Sequence, residues 1–507
     1  MNTIVGLHGV TWPNRQLAMK SSVSCYFLVL CLVGLSQSVS ANWSQFRGSD
    51  GRSVADGQSL PAEIDPESPL WKTALPTGHS SPTVWGDRIF LTAFEDQELK
   101  MICLRRSDGE ILWTEARPLQ DLKRYSHEDS APAVPTPCTD GERVAFLFGD
   151  YGLVVTDLEG TLIWEKNFIP FGNDAGFGYG ASPALLDNKL LINCDGSIRP
   201  GLLCLDFASG EELWFAERPN SIVSYSTPYV WKHAGQTEIL MGGSAILGSY
   251  DASNGAQIWH VSNLPVFVCP TPIADENAVY YGAFTTAHVS GGSAIESTFP
   301  EGFLTPEEIS DPDAFYARFD HNKDRKIAKE ELPPSRLKEA FNYSDSDKSG
   351  YLEYEEFAPR FEPQEAAAGS GRNVFVSISP GGKGDITDTH VTWEKRKNLP
   401  YVSSPLLYKN RLYLVKKGGT VSCYNPVTGE AYYERKRLGA PGEYYASPIG
   451  VDGKVLIASE PGKMIVIKAA DEFEILSTVD LQESIKASPA IVDNHLYLRT
   501  DQYLYAF

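Results

Sequence analysis

The chain has 507 residues, 42% hydrophobic and 11% aromatic, and its 44 Lys+Arg against 65 Asp+Glu give a net charge of −21. So acidic a surface repels phosphate backbones and anionic headgroups, which argues against nucleic-acid and membrane-surface partners. The apolar content rules out global disorder. The 43 Gly, 33 Pro, 24 Tyr and 23 Phe point to many short strands and turns.

At the N-terminus, Lys20 precedes an apolar run from Cys25 to Leu35 and then Val39-Ser40-Ala41. A basic flank, a short apolar core and a small-x-small site read as a cleaved export signal over residues 1–41, with Met19 as an alternative start. The run is too short to span a bilayer, and Leu30 before Cys31 is too large for a lipidation site. The expectation is a periplasmic or secreted monomer with no membrane span. Export permits disulfides. Cys103, Cys204 and Cys423 occupy one recurring slot (Ile-Cys-Leu, Leu-Cys-Leu, Ser-Cys-Tyr) and read as small core residues, while Cys194 and Cys204 are candidates to face each other across a hairpin.

From Ser81-Pro82 onward a Ser/Thr-Pro dipeptide recurs at Thr136-Pro137, Ser182-Pro183, Thr227-Pro228, Thr271-Pro272, Ser404-Pro405, Ser447-Pro448 and Ser488-Pro489. Apart from one gap of 133 residues, the spacing is that of a four-stranded propeller blade. Pro opens a strand where a missing N–H is tolerated. A tight turn follows, such as Gly86-Asp87, Asp187-Asn188 or Asp493-Asn494, and a second strand pairs back. Copies then show Gly-x-x-x-aromatic, as in Gly109 to Trp113, Gly160 to Trp164, Gly210 to Trp214, Gly255 to Trp259 and Gly429 to Tyr433, with Trp393 in the fifth copy. The aromatics are expected to pack blade against blade. The eighth copy lacks an outer strand, and Pro69-Leu70-Trp71-Lys72-Thr73 is available to supply it, closing the ring and removing sheet edges. The fold class is therefore all-β, an eight-bladed β-propeller.

Asp206-Phe207-Ala208-Ser209-Gly210-Glu211-Glu212-Leu213-Trp214 resembles the tryptophan-docking repeat of pyrroloquinoline-quinone-type propellers. Trp43-Ser44-Gln45-Phe46-Arg47-Gly48, with Leu60-Pro61 and Leu70-Trp71-Lys72, resembles the N-terminus of exported quinoprotein-like repeat proteins of planctomycete-type bacteria. Such motifs specify fold strongly and chemistry weakly. The resemblance implies two functions. One is a non-enzymatic binding or assembly scaffold for a protein or polysaccharide of the cell envelope, similar to the propeller of the outer-membrane assembly machinery. The other is a quinone-dependent dehydrogenase of alcohols or sugars. Enzymes of that second kind carry adjacent cysteines, and the absence of a Cys-Cys pair here argues against pyrroloquinoline quinone.

The 133-residue gap holds an insertion into blade five. Propeller sequence runs over 42–300 and resumes over 364–507, and residues 301–363 read as a small α-helical EF-hand module. Asp345-Ser346-Asp347-Lys348-Ser349-Gly350-Tyr351-Leu352-Glu353-Tyr354-Glu355-Glu356 has the twelve-residue calcium-loop pattern. Asp345, Asp347 and Ser349 offer side-chain oxygens, Tyr351 its carbonyl, Glu353 a direct or water-bridged oxygen and Glu356 a bidentate carboxylate, with Gly350 at the left-handed turn. Hard oxygen ligands suit Ca²⁺. A second, weaker loop offers Asp320, Asn322, Asp324, the Lys326 carbonyl and Glu331, but Arg325 replaces the glycine and Ala328 supplies no ligand. The exit helix of this loop is expected to be cut short at Pro333-Pro334. Extracellular modules of this type bind in roughly the 10⁻⁴–10⁻³ M range.

Near the inner-strand starts stand His79, Tyr179, Tyr225, Tyr401, Tyr445 and Lys486, which should ring one mouth of the channel as lining or as a weak cofactor platform. Two loops could feed it, 124–129 and the Gly-rich 172–180, which lacks the following helix of a phosphate loop. The histidines show no metal spacing, and no catalytic residue stands out.

Overall fold

The structure is a computed structural model that describes residues 42–507, apart from 61–63, 120–129, 150, 168–176, 197–198, 220, 222, 286–294, 296–297, 300–302, 340, 346–347 and 362–370. The proposed signal, the loop 124–129, most of the Gly-rich loop and Asp347 lie outside the described residues.

Eight antiparallel sheets form eight blades, each ordered from an inner first strand to an outer fourth strand. Blade one is Thr83–Trp85, Arg88–Glu95, Glu98–Arg105 and Ile111–Pro118. Blade eight takes its first three strands from the C-terminus and its fourth from Trp71–Ala74, with Trp71 opposite Ala506. The ring is closed by the segment that the sequence pattern singles out. Two blades carry a fifth strand: Val54–Ala55 runs parallel to Ile449–Val451 in blade seven, and Gly384–Asp385 runs parallel to Gln257–Val261 in blade four.

The Ser/Thr-Pro repeat has a role beyond starting a strand. In seven of the eight blades the N–H of the Ser/Thr donates to the hydroxyl of its counterpart in the next blade: Ser81 to Thr136, Thr136 to Ser182 and Ser182 to Thr227, at 2.9–3.0 Å. The series resumes with Thr271 to Ser404, Ser404 to Ser447, Ser447 to Ser488 and Ser488 back to Ser81, at 2.8–3.2 Å. This belt satisfies N–H groups buried at the hub, where water cannot reach them.

At the rim, five docking tryptophans lie on a glycine of the next blade; Trp214 on Gly255 leaves its indole N–H without a partner, and the other four donate theirs to a carbonyl there. Trp71 donates to Arg106, Trp113 to Leu158, Trp164 to Phe207 and Trp393 to Pro426, at 2.9–3.0 Å. A Cβ at Gly210 would stand 2.8 Å from the Trp164 ring, and φ there is +73°, so glycine is required both by the close approach and by the backbone.

The step from blade four to blade five breaks both patterns. Among the described contacts the belt bond from Thr227 to Thr271 is missing, and the Thr271 hydroxyl is buried without a partner. Trp259 does not dock outward as the repeat predicts. It is 1% exposed, and its indole N–H donates to Glu238 at 2.9 Å. Glu238 also contacts His233 and accepts from the Ser249 hydroxyl, so a buried carboxylate within the blade draws Trp259 inward.

Cys194 and Cys204 do not pair. Cys204 lies opposite Leu191, whereas the Cys194 N–H reaches Gly201, which puts the two thiols on opposite faces of the sheet and in different cores. The six described cysteines are free thiols.

The belt predicts that Ser182→Ala, which strands the Thr136 N–H, lowers unfolding stability by about 1–3 kcal/mol in urea denaturation. Ser209→Ala, in an exposed turn, is expected to cost less.

Candidate functional site

The two ends of the ring differ because antiparallel blades place their first hairpins at one end and their second hairpins, with the blade-to-blade links, at the other. The predicted mouth residues belong to the second end. They stand one per junction, with His79 near Lys486 and Tyr225 near Tyr401. His79 is nearly buried, with Nε2 3.9 Å from Asp501. Burial, then Lys486 and Arg499, push its pKa down to about 3, so its imidazole is neutral. Tyr179 is buried and donates to the Asn193 carbonyl at 2.7 Å. The Tyr225 hydroxyl is buried and its pKa is raised by burial, then by Cys269 and Tyr401. Tyr401, with Lys417 5.3 Å from its ring, Tyr445 and Lys486 are half-buried.

The same end holds a buried ion pair for which the sequence has no signal, because its members sit 23 residues apart in irregular links. Arg218 Nε donates to Asp195 at 3.0 Å, Nη2 to Asp195 and Ser221 at 3.1 Å, and Nη1 to the Tyr250 hydroxyl at 2.5 Å. Burial raises the Asp195 carboxyl to about 6 against the pull of Arg218. Burial opposes the Arg218 charge, but Asp195 and Tyr250 outweigh it and raise its pKa.

The insertion leaves blade five between its second strand, Val279–Ala283, and its third, Val374–Ile378. Thr285 and Asn373 close the neck with two reciprocal bonds of 2.9 Å. Beyond the neck lies a separate core of Phe299, Phe315, Phe319, Leu337, Phe341 and Phe357 among others. The strands Lys326–Ala328 and Tyr351–Glu353 pair with Ile327 opposite Leu352, joining the two predicted loops at the same position of each.

The loops share their backbone form. Lys323 and Lys348, at the fourth position, have φ of 61° and 58°; Arg325 and Gly350, at the sixth, have 63° and 86°. In the first loop the Asp320 carboxylate accepts the N–H groups of Lys323, Asp324 and Arg325, and Glu331 folds back to those of His321 and Ala328. Asn322 and Asp324 bond to one another. In the second, Asp345 accepts from Ser349 and Gly350 at 2.9 and 2.8 Å, and Glu353 pairs with Lys326 at 2.5 Å. No exit α-helix follows Glu331; a 3₁₀ turn, Lys329–Glu331, precedes the prolines. Among the described residues no three His, Cys, Asp or Glu side chains form a preassembled metal cluster.

The first-hairpin end is crossed by residues 42–60, which visit blade after blade. Trp43 bridges to Val84, the Ser44 carbonyl accepts from Thr139, Gln45 accepts from Leu185, Arg47 donates to Pro405 at 2.5 Å, Ser53 to Pro448, and Gln58 accepts from Asn494. This strap leaves a cavity of about 670 Å³ against blades three to six. Sequence reading marked Trp43–Gly48 only as a resemblance, since nothing in its spacing indicates a segment that crosses a ring.

Residues 50–228 match the family model described as outer membrane protein assembly factor BamB. Among solved structures, BamB from Moraxella catarrhalis is 11% identical over 87% of this chain and 98% of its own, with a TM-score of 0.51. A europium-containing methanol dehydrogenase is 10% identical over 92% and 98%, with a TM-score of 0.52. The computationally designed Ika8 protein is 9% identical over 87% and 99%, with a TM-score of 0.51. No curated protein matches. The chain is an eight-bladed β-propeller, and over residues 50–228 it resembles quinoprotein-like repeat proteins. At these identities the solved structures speak for the fold alone. No helix among the described residues is long and apolar enough to cross a membrane.

Two outcomes follow from the second-hairpin end. The depressed His79 pKa means that stability is undiminished above about pH 6.5 and falls as the pH drops toward 3, and in His79→Gln this part of the slope should vanish from unfolding measured across pH 3–7. Arg218→Leu leaves Asp195 buried without its cation and is expected to cost about 3–5 kcal/mol in urea denaturation.

Proposed function

We propose that this protein is an exported, non-enzymatic binding or assembly scaffold of the cell envelope, periplasmic or secreted, which carries a calcium-binding EF-hand pair on blade five. The observation that supports calcium binding is the matched pair of loops, joined at Ile327 and Leu352 and sharing left-handed residues at the fourth and sixth positions. Their oxygen-rich donors fit a hard cation. Asp345, Asp347, Ser349, the Tyr351 carbonyl, Glu353 and Glu356 would hold Ca²⁺ in the second loop. Asp320, Asn322, Asp324, the Lys326 carbonyl and Glu331 would do so more weakly in the first. The Lys326–Glu353 pair competes for one of these ligands, and a bound cation would have to displace it or reach Glu353 through water.

The scaffold reading rests on the propeller itself. Its mouth residues are buried or half-buried and a strap crosses its other end, which favours the exposed hairpins and the inserted module as recognition surfaces. The partial match to an assembly-factor family fits a protein or polysaccharide partner.

In calorimetry on the chain from residue 42 onward, calcium should bind with at least one site in the sub-millimolar to millimolar range. Glu356→Gln should remove the stronger site and Glu331→Gln only the weaker. No calcium heat in the unaltered chain would refute the module, and turnover of an alcohol or sugar after addition of quinone and calcium would refute the non-enzymatic reading.

A further inference from the structure

The cavity between the strap and blades three to six is lined by two buried groups without hydrogen-bond partners. Arg47 is 1% exposed and spends only Nη2, on the Pro405 carbonyl; Nε and Nη1 have no partner. Thr271 is 3% exposed and its hydroxyl is unpartnered, because the belt bond from Thr227 is missing there. The two groups are tied to adjacent residues: Arg47 binds the carbonyl of Pro405, and the Thr271 N–H binds the hydroxyl of Ser404. Both line the same cavity.

A buried guanidinium with unused N–H bonds is costly unless something completes it. Asp50, the carboxylate that bears on its charge, does not. It is held by Arg52 at 2.5 Å, and side-chain exposures of 43% and 47% put that pair in solvent. Arg47 therefore presents a single positive charge to the cavity, beside a hydroxyl able to donate.

The rest of the wall sets the shape of the ligand. Tyr229, Trp231, Ile273 and Leu407 give it an apolar side, and the volume lies in the range of small-molecule pockets, about 300–1,000 Å³. Around them, four carboxylates (Asp50, Asp187, Asp275, Glu276) outnumber three cations (Arg52, Lys232, Lys409), so the rim does not favour a multiply charged anion.

We propose that this cavity binds a small monocarboxylate on an apolar body, with the carboxylate held by Arg47 and the Thr271 hydroxyl and the body lying against Tyr229 and Trp231. The site is at the opposite end of the ring from the neck of the insertion, so its failure would leave the calcium and scaffold readings standing.

The test titrates the calcium-loaded chain with 3-phenylpropionate, its neutral amide and inorganic phosphate by calorimetry. The acid should bind saturably at one site, and the amide and phosphate at least about tenfold more weakly, in line with the value of a hydrogen bond to a charged group. Thr271→Val preserves shape and should weaken the acid by about tenfold. Arg47→Gln should abolish binding while leaving the far-ultraviolet circular dichroism unchanged. If removing the Arg47 bond to Pro405 unfolds the strap, the valine variant still decides. No binding of the acid, equal binding of acid and amide, equal binding of phosphate, or a valine variant that binds as the unaltered chain does would each overturn the proposal.

Discussion

A closed ring of blades must satisfy the backbone at its hub, where eight inner strands converge and solvent is excluded. Here a hydroxyl from every blade but the fifth takes the N–H of the blade before it, and the next residue is a proline that has no N–H to satisfy. The dipeptide thus solves one problem twice, by adding an acceptor and deleting a donor. The same logic of handing a group to the next blade governs the rim, where an indole lies on a neighbour's glycine and donates to a neighbour's carbonyl. Inner and outer junctions both run between blades n and n+1, so a blade is defined by its neighbours as much as by its own sheet.

The belt and the rim docking fail together at one junction. Between blades four and five the belt bond is absent, Trp259 turns inward to Glu238, and a short strand, Gly384–Asp385, pairs with blade four in place of rim docking. Blade five is also the blade that carries the insertion, and its Thr271 hydroxyl opens on the cavity under the strap. A repeat protein can relax one junction because the others hold the ring, and the relaxed junction is where unpaired polar groups and added chain can persist.

The propeller was largely legible in the sequence because its period is long, its dipeptide is rare and its turns carry characteristic residues. The closing strand at Trp71 could be found because the eighth copy visibly lacked one. What escaped were features that depend on which chain segments meet in space. The hydroxyl half of Ser/Thr-Pro has meaning only once blade n is set beside blade n+1. The Asp195–Arg218 pair and the strap from Trp43 to Ser59 have no period at all. The Cys194–Cys204 expectation failed on parity: a separation of ten residues does not say which faces the side chains take, and the strand register, with Cys204 opposite Leu191 and Cys194 level with Gly201, decides it. Spacing puts the mouth residues near the starts of inner strands, but it cannot tell a phenol that points into a channel from one that bonds to Asn193.

The inserted module shows how a sequence can break a local rule and keep the geometry. Arg325 stands where the loop pattern wants glycine, and its φ of 63° is left-handed all the same, at a cost of about 1–2 kcal/mol for a residue with a Cβ. Three contacts hold it there. The Arg325 guanidinium lies 3.9 Å over the Tyr354 ring, its carbonyl accepts the Tyr354 N–H at 3.0 Å, and its own N–H reaches Asp320 at 2.8 Å. Two of these reach across to the second loop, so the weaker loop borrows its shape from the stronger through the paired strands. Residues 301–362 hold 16 Asp+Glu against 9 Lys+Arg, a third of the chain's net charge of −21. That density of like charge opposes compaction, and the Lys326–Glu353 contact between the loops shows the module neutralising part of it internally. The two loops are coupled through their paired backbone, so a charge added to one loop would be felt by the other.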